Sequence, residues 1–453
     1  MKRTFCILLC LVFLACQPTP EVEYVKSKAD GTLEQAIFVV ADTAAPESEA
    51  TEPMTPTAQP VAVPMTETPW NESFSVAAAM DRIDVTVDAT VRCPADGTAP
   101  AASMRFGMPD EATVQTLIAT FLGDGPLYLG DRTRTKSYYK AKMDYCAAQY
   151  EVETVERNRE EWQRLISMYA GQYADASDDA VPVPWDGRIE GGVDLMTPNG
   201  DGTFRYLKID ATGIKFQSSL DTTTYIRSNA HAVADADEQA AAEAAKKLLG
   251  AIGVEAEIAG VISTEQAMKA FGSVVLDGYV VYCNPLHCGL PSTNERNFDG
   301  FDGDGADWSA AEPTYAAQFP REEIAVCVAN GAVQSFSWAY PAHQVYVENA
   351  AVALLPFDEV QALFRSDIGK VIHVAKGDPM KLRVHTVRLV MERIPKKDAV
   401  LQYDAPELAE FYLVPAWEFL ASVEVEWSVM RDALSNVRVL CINAIDGSII
   451  DRN

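Results

Sequence analysis

The residues with the clearest chemical potential lie between positions 297 and 308, where aspartates are interspersed with glycines. The four aspartates are Asp299, Asp302, Asp304 and Asp307. Because carboxylate oxygens on a loop are ligands that Ca²⁺ prefers, these side chains predict a calcium site. The spacing is not that of an EF-hand, since the twelfth position counted from Asp302 is Pro313 instead of glutamate. A solvated loop between two strands also needs Gly and Asp, so a metal-free loop is the alternative.

A second candidate metal site is the segment from Cys283 to Cys288, which offers two thiols and the imidazole of His287. These are zinc ligands, but a fourth ligand and a second paired motif are missing, so structural thiols are the alternative. Ser137 and Lys140 match the Ser-x-x-Lys of penicillin-interacting enzymes, without the companion Lys-Thr-Gly. The chain also lacks a Gly-x-Ser-x-Gly elbow and a dinucleotide fingerprint. We therefore predict no catalytic residues, and a protein that is not an enzyme.

Two tryptophans, Trp338 and Trp417, lie in apolar segments close to predicted hairpins and are candidate binding residues. Their aromatic side chains would suit a ligand groove. Aromatic residues that alternate along strands also pack on the faces of a sheet, so core packing is the alternative.

The N-terminus has the order of a secretory signal peptide: basic residues, an apolar run, and a small residue before a cysteine. The apolar run from Phe5 to Leu14 is too short for a membrane span, which needs about twenty residues. Ala15 followed by Cys16 resembles the lipobox of bacterial lipoproteins, which implies a signal peptide over residues 1–15 and lipidation of Cys16. We thus expect a chain anchored by lipid at the extracellular face of the cell membrane. An ordinary signal peptide with an incidental Cys16 is the alternative.

Residues 16–75 are predicted to form a disordered stalk behind this anchor. The segment is rich in Pro, Thr, Ala and Glu, and no Lys or Arg occurs between Ala29 and Asp81. Such a composition buries too little apolar surface to offset the entropy cost of ordering. One apolar patch at residues 36–40 interrupts the stalk and predicts a short docked strand.

The formal net charge of −28 argues against nucleic acid as a partner. A cationic peptide, a metal cation or a basic protein would fit this charge. The apolar fraction of 48 % is that of a globular protein, and the residues after the stalk suffice for two or three domains. The six cysteines beyond Cys16 are an even number, which permits disulfides in an exported chain, and free core thiols are the alternative.

The pattern of apolar residues predicts an α+β fold whose first domain spans residues 76–230. Residues 83–92 alternate apolar and polar side chains, which predicts a half-buried strand. Residues 136–170 contain neither Gly nor Pro, and apolar side chains recur there at spacings of three and four. This pattern predicts one long helix of about 50 Å. Arg159 is the charged residue in its apolar stripe and a candidate break point.

Two similar units are predicted to follow, over residues 231–345 and 346–453. Each begins with a helix, near Asp237 in the first and Pro356 in the second, and continues with strands. An Asn-Gly turn in the first unit and an Asp-Gly turn in the second lie between apolar runs, which indicates hairpins. The order of elements recurs after about 115 residues, and this predicts an internal repeat.

The C-terminal segment carries a specific resemblance. The sequences FYLVPAWEF at residues 411–419 and INAIDGSII at residues 442–450 resemble the ending of PepSY-type modules. The same ending occurs in YycH/YycI-type accessory regulators of a wall-sensing kinase, although those regulators begin with a membrane helix. The layout of residues 80–453 is similar to a family of uncharacterised lipoproteins of gut clostridia. The resemblance implies two PepSY-like units, each a helix packed on an antiparallel sheet, and a role in the cell envelope.

We therefore expect a non-enzymatic binding or regulatory protein whose partner is an envelope protein or peptide, with calcium as the one candidate cofactor. Two alternatives are left open by the sequence. One is an extracellular solute- or calcium-binding lipoprotein, and the other is a hydrolase of wall or dietary polymers that uses clustered carboxylates.

Overall fold

The computed structural model describes residues 32–38, 63–78, 81–130, 135–178, 182–189, 191–199, 204–218, 233, 235–264, 278–293, 315–316, 322–372, 379–396, 410–424 and 436–451. Within these ranges the protein is an α+β structure, as the sequence predicted. The helices are α1 (Thr32–Phe38), α2 (Glu111–Leu122), α3 (Lys136–Val152), α4 (Glu156–Asp175), α5 (Ala236–Ala251) and α6 (Phe357–Val371). The strands are β1 (Met65–Ala77), β2 (Arg82–Pro94), β3 (Thr98–Arg105), β4 (Tyr128–Leu129), β5 (Val193–Pro198), β6 (Phe204–Asp210), β7 (Gly213–Gln217), β8 (Ala256–Ser263), β9 (Gly278–His287), β10 (Leu290–Pro291), β11 (Tyr315–Ala316), β12 (Glu323–Ala329), β13 (Ala332–Ala339), β14 (Gln344–Ala353), β15 (Met380–Pro395), β16 (Glu410–Glu424), β17 (Val437–Asn443) and β18 (Ile450–Asp451).

A seven-stranded sheet has the order β1-β2-β15-β16-β3-β14, and β17 pairs with a further part of β16. β1 and β2 form an antiparallel hairpin, whereas β2 and β15 are parallel. The alternation of β2 places Ile83, Val85 and Val87 in the core, as the sequence predicted for a half-buried strand. Helix α6 joins the same core with side chains spaced four residues apart: Val360, Phe364, Ile368.

A nine-stranded sheet has the order β10-β9-β12-β13-β7-β6-β5-β4, with β8 paired to β9. Helices α2 and α5 pack on it, and both contribute to its core. Asp110 caps α2 by accepting a hydrogen bond from the backbone N–H of Thr113. Helix α5 is capped by Asp235, which accepts from the N–H of Glu238 at 2.8 Å, instead of by the predicted Asp237. The Asn-Gly turn between β12 and β13 is present, with both residues at positive φ.

The chain enters the seven-stranded sheet with β1 to β3, crosses to the nine-stranded sheet for β4 to β10, β12 and β13, and returns with β14 to β17. The strands before and after this excursion, β3 and β14, pair with each other. Each sheet therefore takes strands from both sides of a boundary predicted from the sequence, at residue 230 or 345. Strand pairing joins segments that are distant along the chain, and local patterns do not report such pairing.

The segment predicted as one long helix forms two helices, α3 and α4, that pack against each other. Glu153 is the C-cap of α3, and its carboxylate accepts hydrogen bonds from the N–H groups of Thr154 and Val155, both at 2.8 Å. Arg159 donates from Nη1 to the carbonyls of Tyr150 at 3.4 Å and Glu153 at 3.2 Å. These side chains satisfy backbone groups at the two helix ends, so the break needs neither Gly nor Pro. We call α3, α4 and their turn the helical arm.

Two ordered elements lie within the predicted stalk. At residues 36–40 the sequence predicted a docked strand, but the structure has helix α1 up to Phe38. Leu33 and Ile37 are both buried, and their spacing of four residues places them on one face of a helix. None of the helices in the described ranges is long and apolar enough to cross a membrane.

Strand β1 begins at Met65, ten residues before the predicted end of the stalk. The ring of Trp70 holds this strand, because it makes edge-on contacts with Phe357, Phe364 and Phe419 at centroid distances of 5.8, 5.6 and 6.3 Å. A single tryptophan in a Pro- and Thr-rich segment thus supplies the apolar surface that the average composition lacks. The remainder of residues 16–62 lies outside the described ranges, and its disorder stays a prediction.

Candidate functional site

The two passages of the chain between the sheets lie side by side. Phe106 follows β3 on the outward passage, Tyr340 precedes β14 on the return, and their ring centroids are 5.9 Å apart. Arg393 of β15 contacts both, because its guanidinium is 5.3 Å from the Phe106 ring centroid and its Nη1 donates to the Tyr340 carbonyl at 3.1 Å. Tyr340 has a φ of 48°, a rare conformation for a residue other than glycine. We call the residues that meet here the crossover junction: Phe106, His287, Glu322, Trp338, Tyr340 and Arg393.

The carboxylate of Glu322 is the centre of the crossover junction, and it is almost completely buried. Its Oε1 accepts hydrogen bonds from Trp338 Nε1 at 2.9 Å and from the backbone N–H of Ala342 at 3.2 Å. Its Oε2 accepts from His287 Nε2 at 2.6 Å and from Arg393 Nη2. A carboxylate has about four lone-pair sites, and four donors occupy them here. Glu322 is therefore a saturated acceptor that joins β9, β13 and β15.

The ionisation of Glu322 follows from these donors. Burial opposes the charged form, but the charges of His287 and Arg393 and the hydrogen bonds lower the pKa of Glu322 to about 2. A carboxylate with this pKa holds no proton to donate near neutral pH, which removes the role of general acid. Because its lone pairs are occupied, it also accepts no further proton without losing a bond. The geometry suits a fixed structural contact between the two sheets and not proton transfer.

A second buried group of charges joins β8 of the nine-stranded sheet to β15 and β16. Arg388 donates from Nε to Glu418 at 2.7 Å and from Nη1 to Glu257 at 2.5 Å. Thr293 donates to the other oxygen of Glu418 at 2.5 Å. Burial alone would raise the pKa of Glu418, but Arg388 and Arg438 hold it below its usual value. We call this group the sheet-face cluster: Glu257, Thr293, Arg388, Glu392, Glu418 and Arg438.

Arg438 and Glu392 form the innermost pair of the sheet-face cluster, and neither side chain is accessible to solvent. Burial disfavours the charged guanidinium of Arg438, but the negative charge of Glu392 and its neighbours raises the pKa of Arg438 above the usual value. Each guanidinium of the cluster lies beside two carboxylates, Arg388 beside Glu257 and Glu418, and Arg438 beside Glu392 and Glu418. A paired cluster of this kind fixes the relation between strands, because removal of one member leaves a buried charge without compensation.

Cys288 follows His287, which contacts Glu322, and a cysteine near a histidine–carboxylate pair is also found in catalytic sites. The thiol of Cys288 is not activated, because burial raises its pKa to about 11. A nucleophilic cysteine has a lowered pKa, since the thiolate is the reactive form.

The six cysteines of the described residues are free thiols: Cys93, Cys146, Cys283, Cys288, Cys327 and Cys441.

This arrangement predicts slow alkylation of Cys288. A rise in pKa from 9.0 to about 11 lowers the thiolate fraction at pH 8 about 100-fold. We expect iodoacetamide to modify Cys288 at least that much more slowly in the native protein than in denaturant, as measured by peptide mass spectrometry over time. Equal rates in the two states would contradict the suppression of the thiolate by burial, and a faster rate in the native protein would revive a nucleophilic role for Cys288.

The structure locates some of the residues that the sequence singled out. Trp338 is 7 % exposed and donates to Glu322, and Trp417 is 2 % exposed and packs on Phe357 at a centroid distance of 5.0 Å. Both positions correspond to the core packing that the sequence offered as the alternative to a ligand groove. His287 of the candidate zinc segment is bound to Glu322, and Cys283 lies in the core of the nine-stranded sheet.

Other predicted site residues have no structural description. Cys16 and the four aspartates Asp299, Asp302, Asp304 and Asp307 lie outside the described residues, so lipidation and calcium binding stay predictions. Within the part of the chain that the structure describes, no group of three or more His, Cys, Asp or Glu side chains could hold a metal ion.

The sequence analysis did not single out the ionic residues of the two clusters. A usable signal was present, because Glu418 lies inside the apolar run FYLVPAWEFLA and Arg438 inside VRVLCI. A charged residue in a strand that is otherwise apolar on both faces is buried, and buried charges are paired. The pattern thus indicates that these residues have partners, although it does not identify the partners.

Comparison with known proteins adds little. No protein-family model matches the chain, and no curated protein matches it. One solved structure that it resembles is the crystal structure of an uncharacterised protein from Eubacterium rectale, with 10 % sequence identity and a TM-score of 0.37. The match covers 83 % of this chain and 92 % of that chain. At this TM-score the likeness supports no argument about fold or function.

Proposed function

We propose that this chain is a non-enzymatic, lipid-anchored protein of the cell envelope that binds another envelope protein through its helical arm. The observation that carries the proposal is where the chain exposes large apolar side chains. In the described residues, the exposed large apolar side chains all lie between residues 129 and 183, which comprise the helical arm and the segments on either side of it: Leu129, Val152, Val155, Met168 and Val183. Single exposed apolar residues are ordinary, but their concentration in one segment is typical of an interaction site.

The construction of the helical arm supports a role as a rigid binding element. Tyr139 packs on Tyr169 at a centroid distance of 6.4 Å, and Tyr145 packs on Trp162 at 6.0 Å, so aromatic rings join the two helices. At the base, the N–H of Lys136 donates to the carbonyl of Ser177 at 3.0 Å. Because the two helices are already packed together, little conformational entropy is lost when the turn of the arm binds a partner, which favours binding.

Two apolar residues mark the turn of the arm as the centre of the proposed surface. Val152 is 73 % exposed and Val155 is 53 % exposed. Both are β-branched and therefore restricted in χ1, so little side-chain entropy is lost when they are covered. The arm thus offers an apolar tip on a chain whose net charge is −28.

The order of elements also supports the PepSY-like interpretation that we propose for residues 231–453. Helix α5 is followed by β8, β9, β12 and β13, each of which pairs antiparallel with the next, and β10 and β11 lie between β9 and β12 along the chain. Helix α6 is followed by the consecutive antiparallel strands β15, β16 and β17. Helix α5 packs on strands of its own unit, whereas α6 packs on β17 of its unit and also on β1 and β2, which precede it. In this proposal the two units are the scaffold that presents the arm, and the lipid on Cys16 keeps them at the membrane.

Photocrosslinking in cells tests the function. A photoreactive amino acid replaces Val155 in the full tagged chain, and captured proteins are identified by mass spectrometry. We expect one envelope protein to be captured, and we expect capture to fall about tenfold when Val152→Asp is added, because a central apolar contact is lost. The matched control carries the photoreactive residue at Thr90, an exposed position on β2.

Three outcomes would contradict the proposal. One is the same set of captured proteins from Val155 and Thr90, and another is capture that Val152→Asp leaves unchanged. The third concerns the anchor: a Cys16→Ser chain that stays in the membrane fraction as fully as the wild type would exclude lipidation at this residue.

A further inference from the structure

Helix α1 is a short element that covers an apolar surface of the seven-stranded sheet. Its two buried side chains, Leu33 and Ile37, belong to a separate core cluster on the face of the sheet opposite to α6. The other residues of this cluster come from five strands of the sheet, from the turn after β17 and from β18: Ala101, Val352, Val390, Ile394, Tyr412, Val414, Ala416, Cys441, Ile445 and Ile450. We call this surface the α1 groove.

The end of α1 is held by a specific hydrogen bond. Asn349 donates from Nδ2 to the carbonyl of Ile37 at 3.1 Å, which satisfies one of the free carbonyls at a helix C-terminus. Asn349 lies where the pairing of β14 with β3 shifts register on both sides. Its Oδ1 accepts from the N–H of Ala351 at 2.9 Å, which fixes the orientation of the amide. An irregular strand therefore presents a side chain to the end of a helix.

Several observations indicate that α1 is held weakly compared with the rest of the fold. The helix has 7 residues, whereas isolated helices shorter than about 12–15 residues are marginal in water. Among the side chains of α1 that the structure describes, Leu33 and Ile37 are buried against the sheet, and Asn349 binds the Ile37 carbonyl. Residues 39–62 separate it from β1, so its release does not require any strand of the sheet to separate.

We propose that the α1 groove is a helix-binding site that the chain's own α1 occupies reversibly. The groove fits a helix with two large aliphatic side chains four residues apart and a free C-terminal carbonyl for Asn349. In the docked state α1 is the ligand, and its attachment to the same chain gives it a high effective concentration.

Release of α1 would increase the greatest distance between the membrane and the sheets of the anchored protein. This consequence rests on the lipid anchor of the proposed function. With α1 docked, the residues between Cys16 and Thr32 span at most about 55 Å. With α1 released, the residues between Cys16 and Val63 span at most about 160 Å. The groove thus controls how far the sheets and the helical arm extend from the membrane.

Peptide binding tests the groove without reference to the anchor. The probe is a fluorescein-labelled synthetic peptide of residues 28–42, and the proteins are the Cys16→Ser chain without its signal peptide and the same chain carrying Leu33→Asp and Ile37→Asp. We expect the variant to bind the peptide at least about tenfold more tightly, because its own α1 no longer competes. A control peptide with the same two substitutions should not bind.

Equal affinity of the two proteins, or no binding to the variant while its circular dichroism and melting temperature match the wild type, would overturn the proposal.

The distance that the protein extends from the membrane is tested by coupling the chain through a thiol at position 16 to maleimide lipids in a supported bilayer. Neutron reflectometry should show the protein layer farther from the bilayer for the variant, and an unchanged distance would refute the effect on reach. Because the coupling is artificial, this result does not depend on lipidation in the cell.

Discussion

Replacing Arg393 by methionine is expected to lower the free energy of unfolding by about 3–5 kcal/mol, as judged by urea denaturation. Arg393 is 3 % exposed and compensates the buried carboxylate of Glu322, so the substitution leaves a carboxylate in the crossover junction without its guanidinium partner. The matched control is Arg383→Met on the same strand. Arg383 and Asp88 form an exposed pair at 3.5 Å, for which a loss below about 1 kcal/mol is expected.

The dependence on pH gives the same prediction a second readout. The pKa of Glu322 is about 2 in the folded protein, below the ordinary value of 4.5 that applies to the unfolded chain. A group with a lowered pKa contributes stability that is complete above pH 4.5 and is lost as the pH falls toward 2. In Arg393→Met this contribution should be smaller, so stability should depend less on pH across that range. A loss equal to that of Arg383→Met, or an unchanged pH profile, would contradict the role of the junction.

Replacing Trp70 by alanine should also lower the free energy of unfolding by about 3–5 kcal/mol, because an almost fully buried aromatic side chain is removed. The ring joins β1 to α6 and β16 through its contacts with Phe357, Phe364 and Phe419. Its Nε1 donates to Glu72 at 3.0 Å, and Glu72 pairs with Arg365 of α6. Hydrogen exchange should show the loss of protection first in β1.

Thr68→Ala on the same strand is the control for Trp70→Ala, because Thr68 is exposed and its replacement should change stability by less than about 0.5 kcal/mol. Trp70→Phe, which keeps an aromatic ring, should retain part of the stability. If Trp70→Ala cost no more than Thr68→Ala, β1 would not depend on this contact.

Local patterns predicted the parts of the fold that depend on local physics. The alternation of β2 and the Asn-Gly hairpin of β12 and β13 each follow from periodicity or turn chemistry within a few residues. The long helix was wrong, because an intact pattern of spacings does not reveal that Glu153 and Arg159 cap helix ends at its centre. The strand expected at residues 36–40 was wrong because five residues carry too little periodicity to separate a strand from a helix.

The candidate site depends on partners that are far apart in the sequence. Glu322 and Arg393, or Arg388 and Glu257, meet only after the chain has crossed between sheets twice. The apolar runs around Glu418 and Arg438 indicate burial, but a run has no information on which strand provides the opposite charge. In the helical arm, Arg159 marked a candidate break in the sequence, but the apolar stripe did not indicate that Val152 and Val155 would be exposed.

The nested order of strands has a consequence for the timing of biogenesis. β2 has β1 as its first neighbour and β15 as its second, and about 275 residues separate the end of β3 from the start of β15. Chains are synthesised from the N-terminus at about 5–20 residues per second, so β15 emerges roughly 14–55 s after β3. During that interval β2 has an open edge whose N–H and C=O groups are free to pair with other chains. Completion of the seven-stranded sheet therefore waits for the synthesis of β15, and the first hairpin has an unpaired edge until then.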